Sequence, residues 1–271
     1  MKTVADVLAG ARTRGVDRLD AQLLLAHVLR QQRSWLLAND ECTLSADQLE
    51  QVHDLIDRRA GGEPLAYLVG AKEFHGLSLH VSSAVLVPRP DTETLVDWAL
   101  ELMRDATAPS VLDMGTGSGA IALALKHRHP EARVTALDAS AEALAVARGN
   151  AERLQLDIPL LVSDWWHSVA GQRFDFIVSN PPYIAGNDVH LAALRHEPLM
   201  ALTPGGDGLG ALRHLIAGAP QHLESGAWLL LEHGHDQAAA VAELLREQHF
   251  VSVTTRHDLA GHGRCTGGRR G

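Results

Sequence analysis

Ser110-Val111-Leu112-Asp113-Met114-Gly115-Thr116-Gly117-Ser118-Gly119-Ala120 is the stretch on which the fold turns. Val111-Leu112 read as a short buried strand, and residues 120–127 as a helix. Between them, Gly115, Gly117 and Gly119 form a turn whose backbone can approach a ligand closely. Strand, glycine turn and helix in this order open a nucleotide-binding βαβ unit. Residues 134–137 form the next strand, which ends in Asp138, a carboxylate placed to accept from ribose hydroxyls. With Ala120 counted, the turn also fits G-x-G-x-x-A, so a dinucleotide site is the rival reading. Asp113 favours S-adenosylmethionine: a carboxylate just ahead of the turn helps neutralise a cationic ligand, through water or directly, whereas a pyrophosphate gains nothing from it. The competing role for Asp113 is to bond the loop's own N–H groups.

The alternation continues outward. Residues 141–154 read as a helix and 160–162 as a strand. Residues 174–178, 227–231 and 250–255 are further strands, with a helix over 238–245. This is the pattern of an α/β, doubly wound, Rossmann-like sheet with helices on both faces. After the third strand come Ser163-Asp164-Trp165-Trp166. One of the two tryptophans is a candidate to stack on adenine, against a role in the core or an interdomain seam. Residues 174–178 run into Ser179-Asn180-Pro181-Pro182-Tyr183, where two prolines end any ladder. Asn180 then lies at the carboxyl end of a strand, the edge at which open α/β sheets bind ligands. It offers an amide oxygen and an amide NH2. The carbonyls of the proline loop are further acceptors, and Tyr183 is a flat wall. A loop with acceptors but no acid, base or nucleophile suits N-methylation of a planar NH2 group.

Upstream, residues 1–70 read as helices. Thr3 is an N-cap with Gly15 past the helix end, Ser45-Ala46-Asp47-Gln48 a capping box, and Pro64 a helix start. Alternation at Leu77, Leu79 and Val81, followed by Val85-Leu86-Val87, predicts a hairpin. The expected organisation is a helical substrate-docking domain over 1–76, a hairpin linker over 77–90 and a catalytic domain over 91–271. The 271 residues carry a net charge of -9 and 46% hydrophobic residues. An acidic surface disfavours stable binding to nucleic acid but not to a basic protein. Cys42 and Cys265, the only cysteines, suggest a reducing, cytoplasmic setting. No apolar run reaches the roughly 18 residues of a membrane span, and the N-terminus lacks a signal-peptide pattern. The 16 histidines include no HExxH, and no metal is expected.

Asp113 to Gly119, Asp138, Ser163-Asp164-Trp165 and Asn180-Pro181-Pro182-Tyr183 together resemble the class I S-adenosylmethionine methyltransferases, and within them the HemK/PrmC family. Further marks are Pro88-Arg89-Pro90-Asp91-Thr92-Glu93, Glu197-Pro198 with Ala201-Leu202, Gly205-Gly206-Asp207-Gly208-Leu209, and Glu232-His233-Gly234 with Gln237. Asn-Pro-Pro-Tyr alone is shared with adenine amino-methyltransferases. The resemblance implies a protein-glutamine N-methyltransferase that uses S-adenosyl-L-methionine, releases S-adenosyl-L-homocysteine and acts as a monomer on class I peptide chain release factors. It implies cofactor contacts from Gly115, Thr116, Gly117, Ser118, Gly119, Asp138 and Trp165, joined by Asp113 and Asn180. Asn180, Pro181, Pro182 and Tyr183 would hold the glutamine, with Asn180 catalytic. The alternatives are a glutamine methyltransferase acting on a ribosomal protein, an adenine amino-methyltransferase, and a sensor that binds S-adenosylmethionine without turnover. One departure from the family is the tail, residues 262–268, so poor in apolar side chains that a short or frayed last strand is expected.

Overall fold

The computed structural model describes residues 2–271, which divide into two units, the first ending at Ala71 and the second Lys72–Gly271. In the first, α1 (Val4–Thr13), α2 (Arg18–Leu29), α3 (Arg33–Ala38), α4 (Ala46–Ala60) and α5 (Leu65–Val69) enclose their own core. Val4, Leu24, Leu25, Leu36, Val52 and Ile56 are its most buried side chains. Thr3 and Ser45 each cap a helix in a reciprocal box with the side chain three residues on, Asp6 and Gln48. Such boxes satisfy N–H groups that a helix start leaves open.

In the second unit a small hairpin, β1 (Ala71–Phe74) and β2 (Leu77–His80), precedes α6 (Glu93–Met103). The strands thus fall earlier than expected. Residues 85–87 form no strand: Val85 closes a turn on Ser82, and the Val87 N–H goes to the Glu197 carboxylate at 3.0 Å. Pro88 and Pro90 bring no N–H to a ladder.

The main sheet then builds by strand and helix: β3 (Ser110–Met114), α7 (Ala120–Arg128), β4 (Arg133–Asp138), α8 (Ala141–Leu154), β5 (Leu160–Val162) and β6 (Phe174–Ser179). After a short α9 (Leu199–Leu202) come α10 (Gly210–His222), β7 (Leu223–Glu232), α11 (Ala238–Glu247), β8 (Phe250–His257) and β9 (Gly263–Arg270). Strand order is β5-β4-β3-β6-β7-β9-β8. The pairs from β5 to β7 are parallel, and β9 runs antiparallel to both neighbours. Alternate residues feed two cores. Val111, Val178 and Leu230 join Leu95, Trp98 and Leu123 on one face, while Leu112, Ile177, Leu229 and Leu231 join Leu212, Leu215 and Val241 on the other. Burial on both faces explains why these strands read as continuous apolar runs.

The tail corrects the expectation of a frayed strand. β9 has 8 residues and lies between β7 and β8, inside the sheet. It is poor in apolar residues, and at Gly267 there is no room for one. A Cβ on Gly267 would meet Leu229 O at 2.6 Å and the Trp98 ring at 2.9 Å. Thr266 instead bonds the His233 ring and the Thr255 hydroxyl, and the Arg269 and Arg270 guanidinium groups donate to the carbonyls of Gly226 and Leu223.

Candidate functional site

The carboxyl ends of β3, β4, β5 and β6 open on one cavity of about 330 Å³, which lies in the second unit. At the end of β3 the Gly115 and Thr116 N–H groups both donate to Leu137 O, tying the glycine loop to β4. Gly115, Gly117 and Gly119 take φ of 73°, 55° and 83°, left-handed values that a side chain would strain. Gly115, Thr116, Gly117 and Ser118 line the cavity. Gly119 stands behind it, where a Cβ would press on Leu123 and Ala147.

Asp113 lies under the loop and is not among the residues lining the cavity. Its Oδ2 accepts from Thr116 Oγ1 at 2.6 Å and from the Ala122 N–H at 3.2 Å. Its buried Oδ1 has no partner among the described residues. Burial lifts the carboxyl to about 7, against the pull of those two hydrogen bonds. Through Thr116 and Ala122 the carboxylate ties the glycine loop to the start of the following helix.

Asp138 lines the cavity. It accepts from the Gly117 N–H at 2.8 Å through Oδ2 and from the Ser140 N–H at 2.9 Å through Oδ1. Burial raises its pKa, opposed by these bonds. With the Ala139 N–H also directed at the carboxylate, it still has acceptor capacity for a ligand hydroxyl. Of the tryptophans, Trp165 lines the cavity while Trp166 stacks on His222 at 4.6 Å, nearly parallel, against α10. Trp165 has φ of 47°, and its carbonyl accepts from Ser163 Oγ at 2.7 Å.

Asn180 and Pro182 line the cavity, but Pro181 is buried and Tyr183 turns away. The Tyr183 hydroxyl donates to Glu232 Oε1 at 3.3 Å, and its carbonyl accepts from Gln237 Nε2 at 2.9 Å. Burial and the Glu232 charge hold the phenol well above its ordinary pKa. The expected flat wall is thus an anchor for the loop. Asn180 Nδ2 donates to Thr92 Oγ1 at 3.1 Å.

The sequence reading placed no site residue in the segment over 84–92 or in that around Glu197. Val85, Leu86, Pro88, Arg89 and Thr92 nevertheless line one side of the cavity, and Pro198, Met200 and Ala201 another. Glu197 clasps the two, taking the Val87 N–H and the Arg89 guanidinium, the latter at 2.5 Å. The available signal was Pro88-x-Pro90, a stiff segment with no ladder to join. No histidine lines the cavity, and among the described residues no three His, Cys, Asp or Glu side chains group as for a metal ion. The arrangement can orient a polar guest, and it offers a nucleoside a glycine cradle, a ribose acceptor and an aromatic ring.

The comparisons with known proteins agree with this geometry. A family model described as "Methyltransferase small domain" matches residues 92–258, and one described as "PrmC N-terminal domain" matches residues 2–70. A protein of Bordetella pertussis named release factor glutamine methyltransferase is 48% identical over 276 residues, covering 99% of each chain. One of Pseudomonas aeruginosa with the same name is 47% identical, covering 93% of this chain and 92% of its own. Among solved structures, a methyltransferase from Pyrococcus furiosus has a TM-score of 0.54 at 20% identity, over 72% of this chain and 90% of that one. The hMettl16 catalytic domain, solved with a 3′UTR hairpin, has a TM-score of 0.57 at 19% identity, over 79% and 80%. These two show the fold alone. Among the described residues no helix is long and apolar enough to cross a membrane. With full-length relatives near half identity and both units matched, the protein is a methyltransferase and belongs to the release factor glutamine methyltransferase family.

Proposed function

We propose that the protein methylates the side-chain amide nitrogen of the glutamine in the Gly-Gly-Gln motif of class I peptide chain release factors, with S-adenosylmethionine as donor and S-adenosylhomocysteine as product. The residues present fit that donor. Gly115 and Gly117 have open space where a Cβ would stand, so the loop is a bare backbone cradle. Asp138 has lone pairs for the ribose hydroxyls and Trp165 a ring for the adenine. When bound, S-adenosylmethionine supplies an electrophilic sulfonium methyl.

The observation that carries the reading is Asn180. One N–H of its Nδ2 is held by Thr92, which leaves Oδ1 to accept from a substrate NH2. An amide nitrogen is a weak nucleophile because its lone pair is delocalised into the carbonyl. Asn180 Oδ1 takes one of its N–H bonds and a carbonyl of the proline loop takes the other. Both acceptors favour the nitrogen as it becomes pyramidal and turn its lone pair toward the methyl. The new N–C bond replaces an N–H bond, whose proton goes to water. Orientation and fixed dipoles carry the rate gain.

The test is transfer of radiolabelled methyl from S-adenosylmethionine to release factor, ribosomal proteins and DNA assayed side by side. Label in the Gly-Gly-Gln glutamine is expected. Label confined to a ribosomal protein or to DNA would overturn the substrate assignment.

A further inference from the structure

Asn180 has two ends of nearly the same shape and opposite function: Oδ1 accepts and Nδ2 donates. A substrate NH2 can be held only by Oδ1. A half-turn of the amide would set donor against donor, so a working site must fix which end faces the cavity. Thr92, 4% exposed, lies at the other end of the amide and accepts from Nδ2. A hydroxyl has a single proton. The buried carboxyl group of Glu232, 1% exposed, is a neighbour of Thr92, whose side chain favours its ionised form. Glu232 takes the Tyr183 O–H through Oε1, while its buried Oε2 has no hydrogen-bond partner among the described residues and is open to the Thr92 proton. An ionised carboxylate only accepts. It therefore draws the Thr92 proton, and the Thr92 lone pairs are left for Asn180. Under those conditions only Nδ2 fits against Thr92.

We infer that Thr92 is a positioning residue, anchored by Glu232, which fixes the Asn180 amide with its oxygen toward the substrate; this rests on the proposed role of Asn180. Asn180 donates to Thr92 and Tyr183 donates to Glu232, and with the Thr92 proton drawn to the open Oε2 the donors all point one way. Both ends of Asn180-Pro181-Pro182-Tyr183 are thus oriented by one buried acceptor on β7. Thr92 is itself held in place. It closes the single 3-10 turn Pro90–Thr92, Asp91 pairs with Arg264 at 3.3 Å, and Arg89 is clasped by Glu197.

The experiment compares wild type with Thr92→Val, Thr92→Ser, Asn180→Ala and the double variant Thr92→Val/Asn180→Ala. Methyl transfer to release factor is assayed at pH 8, where the Glu232 carboxyl, raised by burial to about 7, is ionised. Calorimetry gives the affinity for S-adenosylhomocysteine, and NMR follows hydrogen exchange of the Asn180 side-chain NH2. Thr92→Val keeps the shape and removes the hydroxyl. Its kcat should fall about 10- to 100-fold, the scale of a misplaced contact, with cofactor affinity and substrate KM little changed. Thr92→Ser should restore turnover. In the Asn180→Ala background, Thr92→Val should cost nothing more, because its effect runs through that amide. The Asn180 NH2 should be protected from exchange in wild type and exposed in Thr92→Val. Equal protection in both, a further loss in the double variant, or a Thr92→Ser as slow as Thr92→Val would each overturn the inference. Wild-type turnover in Asn180→Ala would instead overturn the role of Asn180. If wild type labels no release factor, the substrate assignment falls while the exchange measurement still decides on Thr92.

Discussion

Asp138 and Asp113 are two carboxylates of one nucleotide loop with different duties, and substitution should separate them. Asp138 faces the cavity and also holds the Gly117 and Ser140 N–H groups. Asp138→Ala should weaken S-adenosylmethionine binding by roughly 1.5–3 kcal/mol, the range for hydrogen bonds to a charged group. Calorimetry would refute the ribose role if affinity is unchanged. Asp113 should speak through stability. Burial places its folded pKa near 7, whereas an unfolded aspartate titrates near ~4. Between those values the folded state binds the extra proton, so stability declines as pH rises through the window and is flat above it. The loss is on the order of 4 kcal/mol, at about 1.4 kcal/mol per pKa unit. Glu232, also raised to about 7 by burial, acts in the same direction. The lowered carboxylates Asp6, Asp188, Asp207 and Asp258 act with the opposite sign, and only below the ordinary aspartate range. Asp113→Asn is neutral at every pH and keeps an acceptor for Thr116 and Ala122. Its melting temperature should therefore fall less than that of wild type between pH 5 and 8. Parallel melting curves across that range would exclude a protonated Asp113 in the fold.

β9 is the element in which hydropathy misleads. Residues 262–268 are poor in apolar side chains, and at Gly267 the Leu229 backbone, the Leu230 side chain and the Trp98 ring leave no space for one. Gly267→Ala should cost about 1–3 kcal/mol, the usual penalty of overpacking, read as a lower melting temperature. A frayed strand would tolerate the change, so an unaltered melting temperature would refute the buried placement. The elements that were legible share a different property: their signals are local. Thr3 and Ser45 cap their helices through neighbours three residues on. The Gly115 to Gly119 turn needs only its own φ values, and Asp138 ends its own strand. What stayed hidden depends on partners far along the chain. Thr92 meets Asn180, Val87 meets Glu197, and Tyr183 meets Glu232 and Gln237. No periodicity within a short window carries such pairings. The Trp165-Trp166 choice is of this kind too, since α10 claims Trp166 through His222 and the His214 carbonyl.

Each of the two units encloses its own apolar core, yet every residue lining the cavity belongs to the second. The helical unit, matched over residues 2–70 by the PrmC N-terminal domain model, brings no residue to that cavity. An amide pocket by itself cannot choose a substrate, because every glutamine and asparagine presents the same planar group. Discrimination must then come from surface beyond the pocket. We propose that the helical unit supplies it by docking the body of the release factor. Deleting residues 1–70 should leave a second unit that still binds S-adenosylhomocysteine, since Asp138, Trp165 and the glycine loop are all retained. Circular dichroism and calorimetry check this first. The truncated enzyme should then lose efficiency on intact release factor while matching the full chain on a short Gly-Gly-Gln peptide, which is too small to reach a docking surface. Loss of docking contacts should raise KM more than it lowers kcat, because such contacts are made equally in the ground and transition states. Equal kcat/KM for both enzymes on the intact protein would remove the docking role. Equal losses on protein and peptide would mean instead that the helical unit only supports the catalytic fold.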